Sequence, residues 1–230
     1  MKEKINRITL GIRHRRSFRV PEVAGAIVDY IIYDSSSPFE TNFFQATDTL
    51  LDNFENKGRI LIGKDGKSSI VVDTDNLVLN LASDNFDDSI SKIKTQFIPF
   101  FKKIFKEFKL ENINRVGMVF EFKFSDGEKI NQFVKTLTQD SFSNTDRFDL
   151  RFSQKETDTM SVVKRDLVDY KNNIVVLSKT ADGVVLKFDY QFHYSPEIGS
   201  INDLDFDKFV EAATERLESK IFKWLKQNEK

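Results

Sequence analysis

Four arginines fall within seven residues, Arg13, Arg15, Arg16 and Arg19, in the run "RHRRSFRV" (13–20). A guanidinium presents a planar fork of donors that grips phosphate or carboxylate through two parallel hydrogen bonds. The cluster is therefore the candidate site for an anionic ligand or partner. The plainer alternative is internal pairing with some of the 36 acidic residues. A second basic cluster, Lys102, Lys103, Lys106 and Lys109, shares its stretch with Phe101, Phe105 and Phe108. It reads as a solvated helix face whose Lys stems lie over apolar neighbours.

Residues suited to catalysis are few. His14 and His193 are the only histidines, and both fall in predicted strands. A metal site built on them would need carboxylates converging from elsewhere. Asp189 shares a strand face with His193, but four residues of extended chain separate them by about 13 Å, too far for direct cooperation. Acidic pairs occur at Asp73/Asp75, Asp87/Asp88 and Asp203/Asp205/Asp207. Hydrolases need two carboxylates held at a defined separation. "DTDN" (73–76) is more simply a turn, and the other two groups suit helix N-termini. "GKDGK" (63–67) lacks phosphate-loop spacing and reads as a hairpin. No GxGxxG, GxSxG or HExxH pattern occurs, and the absence of Cys excludes disulfides, thiolate catalysis and thiolate metal sites. No catalytic residue, metal ligand or cofactor is assigned.

The elements that must position the arginines follow from periodicity. Ile8, Leu10 and Ile12 alternate with Arg7, Thr9 and Arg13, which predicts a half-buried strand over 5–16. "VPEVAGAIVDYII" predicts a helix with Pro21 in its first turn, and "FFQATDTLLDNF" a second short helix. "GRILIG" and "SSIVVD" flank the "KDGK" turn as a hairpin, and "NLVLNLA" adds a third strand. A long helix follows over 83–110, capped by Ser83 or Asp84, with Pro99 expected to bend or divide it.

The order then recurs. "INRVGMVFEFKF" (113–124) repeats the "INR" of residues 5–7 and predicts a strand with Val116, Met118, Phe120, Phe122 and Phe124 on one face. "SDGEKINQFVKTL" predicts a helix. "DRFDLRFSQ", "TMSVVKRDLVDY", "NIVVLSKT" and "GVVLKFDYQFHY" predict four strands, and residues 205–229 a closing helix. The expectation is an α+β protein of two similar units, 1–112 and 113–230. Each unit runs strand, helix, antiparallel meander, long helix, with the helices on one face of the sheet, as an internal duplication would produce. By element order this is similar to the TATA-box-binding protein fold, and a helix-grip topology also fits.

Around Arg115, Val116 and Gly117 the chain also resembles a sporadically distributed bacterial family carrying an "RIGLRYIN"-like strand after a long helix. "MVFEF" departs from that family's continuation. The resemblance covers about residues 59–225 and implies a bacterial α+β protein, with no activity or site attached.

Composition sets the remaining bounds. The 230 residues are 40% hydrophobic and 31% charged, ordinary for a globular chain, with 23 Phe to fill a core. Net charge is −1, so no global field draws nucleic acid. "MKEKINRITL" lacks a signal-peptide core, and no stretch nears the roughly 20 apolar residues that span a bilayer. These features point to a cytoplasmic, non-enzymatic interaction or assembly module. Its partner is expected to be a protein or a second copy. Nucleic acid or another anionic ligand on the Arg13–Arg19 patch is the alternative.

Overall fold

Alternation in the first strand places Ile5, Ile8, Leu10 and Ile12 in the core, and the same positions counted from Ile113 are Ile113, Val116, Met118 and Phe120, all buried. The recurrence 108 positions later is therefore a recurrence of environment as well as of letters. A computed structural model describes residues 2–17, 20–39, 59–63, 65–125, 148–157, 168–180 and 183–227. In it β1 (Ile5–His14) and β5 (Ile113–Phe124) lie side by side, antiparallel, at the centre of one eight-stranded sheet.

The remaining strands extend outward in matching order. β2 (Arg59–Ile62), β3 (Ser69–Val72) and β4 (Asn76–Ala82) form the meander beside β1. β6 (Phe148–Glu156), β7 (Val168–Thr180) and β8 (Gly183–Ile198) form the one beside β5. The spatial order is β2-β3-β4-β1-β5-β8-β7-β6, so each half reads first, fourth, third, second from the centre. All pairings are antiparallel. This is an α+β fold of two similar units, and both units contribute to one sheet.

Helices cover one sheet face. α1 (Val20–Tyr33) buries Ile27, Val28 and Ile31. α2 (Phe86–Lys92) continues through a π-helical turn (Ile93–Phe97) into α3 (Ile98–Glu107). The cap is Asn85, whose side chain accepts from the Asp88 N–H, and not Ser83 or Asp84 as expected. Pro99 does not divide the helix. It sits in the first turn of α3, just after the π turn, where a missing N–H and a bulky ring meet a wider backbone spiral. The C-terminal helix repeats this form: α4 (Phe206–Arg216), a π turn (Leu217–Phe222) and α5 (Lys223–Gln227). Its apolar stripe runs through Phe206, Phe209, Val210, Ala213, Leu217 and Ile221.

Phe fills the space between the layers, with Phe100, Phe101, Phe105, Phe120, Phe122, Phe188, Phe192 and Phe209 essentially fully buried. Phe120 stacks between halves, 5.7 Å from Phe86 and 6.3 Å from Phe188. In the β2–β3 turn, Asp65 accepts from the Lys67 and Ser68 N–H groups, and Gly66 supplies a φ of 64°.

Two strand boundaries differ from expectation. β1 ends at His14, so Arg15 and Arg16 lie in the connection that follows. Lys171 and Asn172, which fall between two separately predicted strands, lie inside β7. The end of "TMSVVKRDLVDY" and all of "NIVVLSKT" are therefore one 13-residue strand. Pairing to β8 on one side and β6 on the other overrides local composition there. The short helix expected at 43–54, the helix at 125–137 and most of "TMSVVKRDLVDY" lie outside the described residues. No helix among the described residues is long and apolar enough to cross a membrane.

Candidate anion-binding face

The face of the sheet opposite the helices is polar. Strand alternation sends every second side chain there, and cross-strand register assembles them into rows. One row runs Asn76, Arg13, Arg115, His193, Tyr170; the next is Val78, Gly11, Gly117, Gln191, Asn172, Lys155. Another runs Arg7, Glu121, Lys187, Val176, Arg151. Among the described residues, the paired rows of this face hold seven cations, Arg7, Arg13, Arg115, Lys123, Arg151, Lys155 and Lys187. They hold three carboxylates, Glu121, Asp149 and Asp189. Within these rows the balance is four positive charges, with Arg13 further paired to Asp75 from the adjoining turn, in a chain whose net charge is −1.

Glycines lower the middle of this face. Gly11 and Gly117 are directly paired across the two central strands, and neither contributes a side chain. A shallow depression of about 170 Å³ forms above them, walled by Thr9, Arg13, Arg115, Val119, Asp189 and Gln191 among others.

Two carboxylates flank it in opposite electrostatic states. Glu121 is only 8% exposed, which by itself raises its pKa. It accepts from Arg7 Nη2 at 2.8 Å and from Asn6 Nδ2 at 2.7 Å, and Lys187 Nζ lies 3.2 Å away. These partners outweigh burial and hold the carboxyl below its ordinary value. Asp189 is pushed up instead. Burial dominates there, opposed by the hydrogen bond from Gln191 and by the charges of Arg115 and Arg151.

Asp189 and His193 are linked indirectly, through one intervening side chain. Gln191 lies between them on the same strand face. Its Nε2 donates to Asp189 Oδ2 at 2.5 Å, and its Oε1 lies 3.0 Å from His193 Nε2. Because the Gln191 amide donates toward Asp189, its oxygen must accept, so the proton of His193 sits on Nε2. Burial, then the Arg115 charge, depresses His193 to about 4, with Lys155 and Arg13 adding and Asp169 opposing. The imidazole is neutral at neutral pH. It stacks on Tyr170 at 4.2 Å, and Lys155 Nζ lies 3.9 Å from the centre of that ring.

The predicted arginines are only partly assembled here. Arg13 belongs to the face and bonds Asp75 through Nε and Nη2 at 3.2 and 2.9 Å. Arg15 lies beyond the strand and pairs with Glu197 at 2.8 Å. Arg16 is exposed in the same connection, and Arg19 lies outside the described residues. Of the described three, Arg13 and Arg15 thus turn to different carboxylates, Asp75 and Glu197. Sequence reasoning missed Arg115, Lys187, Arg151 and Lys155, which come from strands up to 174 positions downstream of Arg13. The available signal was the polar phase of each strand, such as Asp189, Gln191 and His193 alternating with apolar residues.

The other candidates have structural work. Asp73 accepts from the Thr74 N–H, Asp205 caps α4, and Asp87 and Asp88 lie in the first turn of α2. His14 is buried, its Nδ1 on the Arg15 carbonyl at 2.8 Å and its ring edge-to-face with Phe105. Lys102 lies over the Phe206 ring. No group of three or more His, Asp or Glu suited to a metal occurs among the described residues.

No family model matches the chain, and no curated protein matches it. Among solved structures it is similar to the TBP of Methanococcus jannaschii. That likeness has 10% identity and a TM-score of 0.30, over 97% of this chain and 98% of the other. It is also similar to the rolling circle replication initiator protein from Geobacillus stearothermophilus, at 11% identity and a TM-score of 0.28, over 84% and 74%. Likenesses at this level carry nothing toward function.

Proposed function

We propose that the chain is a non-enzymatic binding module whose open sheet face docks an anionic macromolecule, with nucleic acid as the polyanion. The observation that supports this reading is charge segregation. Four net positive charges lie in the paired rows of one face, while the whole chain is slightly negative. A sheet face with excess positive charge suits a string of phosphates. The low central trough above Gly11 and Gly117 gives such a strand close access to the sheet. We further read the two units as copies of one ancestral unit. The cysteine-free sequence suits a reducing compartment such as the cytoplasm.

The test is fluorescence anisotropy with labelled single-stranded and duplex oligonucleotides. Neutralising about four phosphates gives a log–log salt slope of roughly −3 for single strands. Reversing Arg115 and Lys155 to Glu removes four charges and should abolish binding while leaving the fold intact. Absence of binding at low salt would overturn the reading.

A protein partner is the second reading, favoured by the β6 edge. β6 pairs only with β7 among the described residues, and its Phe152 is 47% exposed. An unpaired edge with an exposed aromatic can accept a strand from another chain or a second copy. Light scattering of wild type and Phe152→Lys separates the cases. A dimer that dissociates in the variant supports the edge, and a monomer in both removes it for self-association.

A further inference from the structure

On the helix side of the sheet, away from the cationic face, a cavity of about 530 Å³ lies between β6, β7 and the C-terminal helix. Its volume is in the range of small-molecule sites. Its apolar walls are Phe152, Val175, Phe188 and Ile221.

The polar groups in it are unusual for a core. Arg216 makes an ion pair with Glu156, and its Nε donates to Asn173 Oδ1 at 3.3 Å. That bond fixes the orientation of the Asn173 amide, since the oxygen must face the guanidinium. Asn173 Nδ2 is then left buried, with no hydrogen-bond partner among the described residues, on a side chain that lines the cavity and is only 7% exposed. A buried donor left unpaired is costly enough that few persist without a use. Lys220, one turn beyond Arg216 and within the π turn, is exposed and lines the same space. Two cations and one carboxylate leave the cavity one positive charge in excess.

We propose that this cavity binds a small monocarboxylate with an apolar body. The carboxylate accepts from Asn173 Nδ2 and is neutralised by Arg216 and Lys220, while the body lies against Phe152, Val175, Phe188 and Ile221. The charge count favours a single negative charge, and the apolar walls favour an aliphatic or aromatic acid over a purely polar anion.

Isothermal titration calorimetry with hexanoate and benzoate tests this, using hexanamide, benzamide and hexylamine as neutral and cationic counterparts. Trp224, the single Trp, packs 6.2 Å from Phe152 and gives a second readout by fluorescence. At least one carboxylate should bind, with its amide and the amine at least about tenfold weaker, the factor for one hydrogen bond to a charged group. Asn173→Leu and Lys220→Gln should each weaken it by about the same factor. If Asn173→Leu fails to fold, the exposed Lys220→Gln decides alone. No binding of either carboxylate at millimolar concentration, equal binding of the amides, or full affinity in the folded variants would overturn the proposal. Arg115→Glu on the opposite face should leave carboxylate binding unchanged, so this result stands apart from the oligonucleotide test.

Discussion

Glu121→Gln should lower stability and tighten polyanion binding at the same time. The carboxylate joins the two units, taking Arg7 of the first at 2.8 Å and Lys187 of the second at 3.2 Å. Its side chain is 10% exposed, whereas those of Arg7 and Lys187 are 39% and 45% exposed. Solvent screens the cations, so each pair contributes about 0.2–1 kcal/mol. The shielded carboxylate oxygens move the sum toward the upper end, about 1–2 kcal/mol, with Gln keeping an acceptor for Asn6. For a chain of this size that is a fall of about 2–8 °C in Tm. The pH dependence has a definite sign. The folded pKa of Glu121 lies below its ordinary value, so its contribution is fully present above the unfolded pKa and is lost as pH falls through the folded one. Urea denaturation at neutral pH should therefore separate wild type from variant, and the gap should close under acid conditions. Anisotropy on the same samples should show tighter oligonucleotide binding, because the face gains one net positive charge. Equal stability at neutral pH, a gap that persists in acid, or weaker binding by the folded variant would refute the reasoning.

Asp189→Asn should behave in the opposite way. Its folded pKa is raised, so the wild-type side chain favours folding below its unfolded pKa and loses that contribution as pH rises through the folded one. The Asn variant should then melt higher than wild type at neutral pH and converge with it in acid, and a lower Tm at neutral pH would contradict the assignment. Gly183→Ala should cost about 1–3 kcal/mol, because the residue sits at φ 123° and a Cβ would lie 2.2 Å from the Phe124 carbonyl oxygen. Gly11→Ala, whose Cβ meets Val78 at 3.7 Å, should stay within about 0.5 kcal/mol, as chemical denaturation would show. Phe120→Ala, at a fully buried site touching Phe86 and Phe188, should cost about 3–5 kcal/mol. Trp224 fluorescence and far-ultraviolet circular dichroism should still fall together in one transition, because β1 and β5 are shared. Two transitions would mean the halves unfold separately.

The alternating residues of Ile5–His14, Ile113–Phe124 and Gly183–Ile198, the Asp-Gly turn at 65–66 and the stripe of the C-terminal helix were all legible, because each is set by neighbours two to four positions apart. The matching order of elements in the two halves followed from those same local signals. The cationic face was not legible. Arg13 could be assigned to a polar strand face, but its neighbour Arg115 arrives only through the central β1–β5 pairing, and His193 and Tyr170 through β8 and β7. Glu121 meets Asn6, Arg7 and Lys187 only because the strand order places β1 and β8 on either side of β5. Asn173 was legible as the first residue of the strand "NIVVLSKT", but its amide meets Arg216 only through the packing of α4 against the sheet. Strand period is a property of adjacent residues, whereas strand order depends on contacts between segments far apart in the chain. The sequence alone therefore determined which side of each strand would be polar, and only the tertiary structure decided which polar residues would meet.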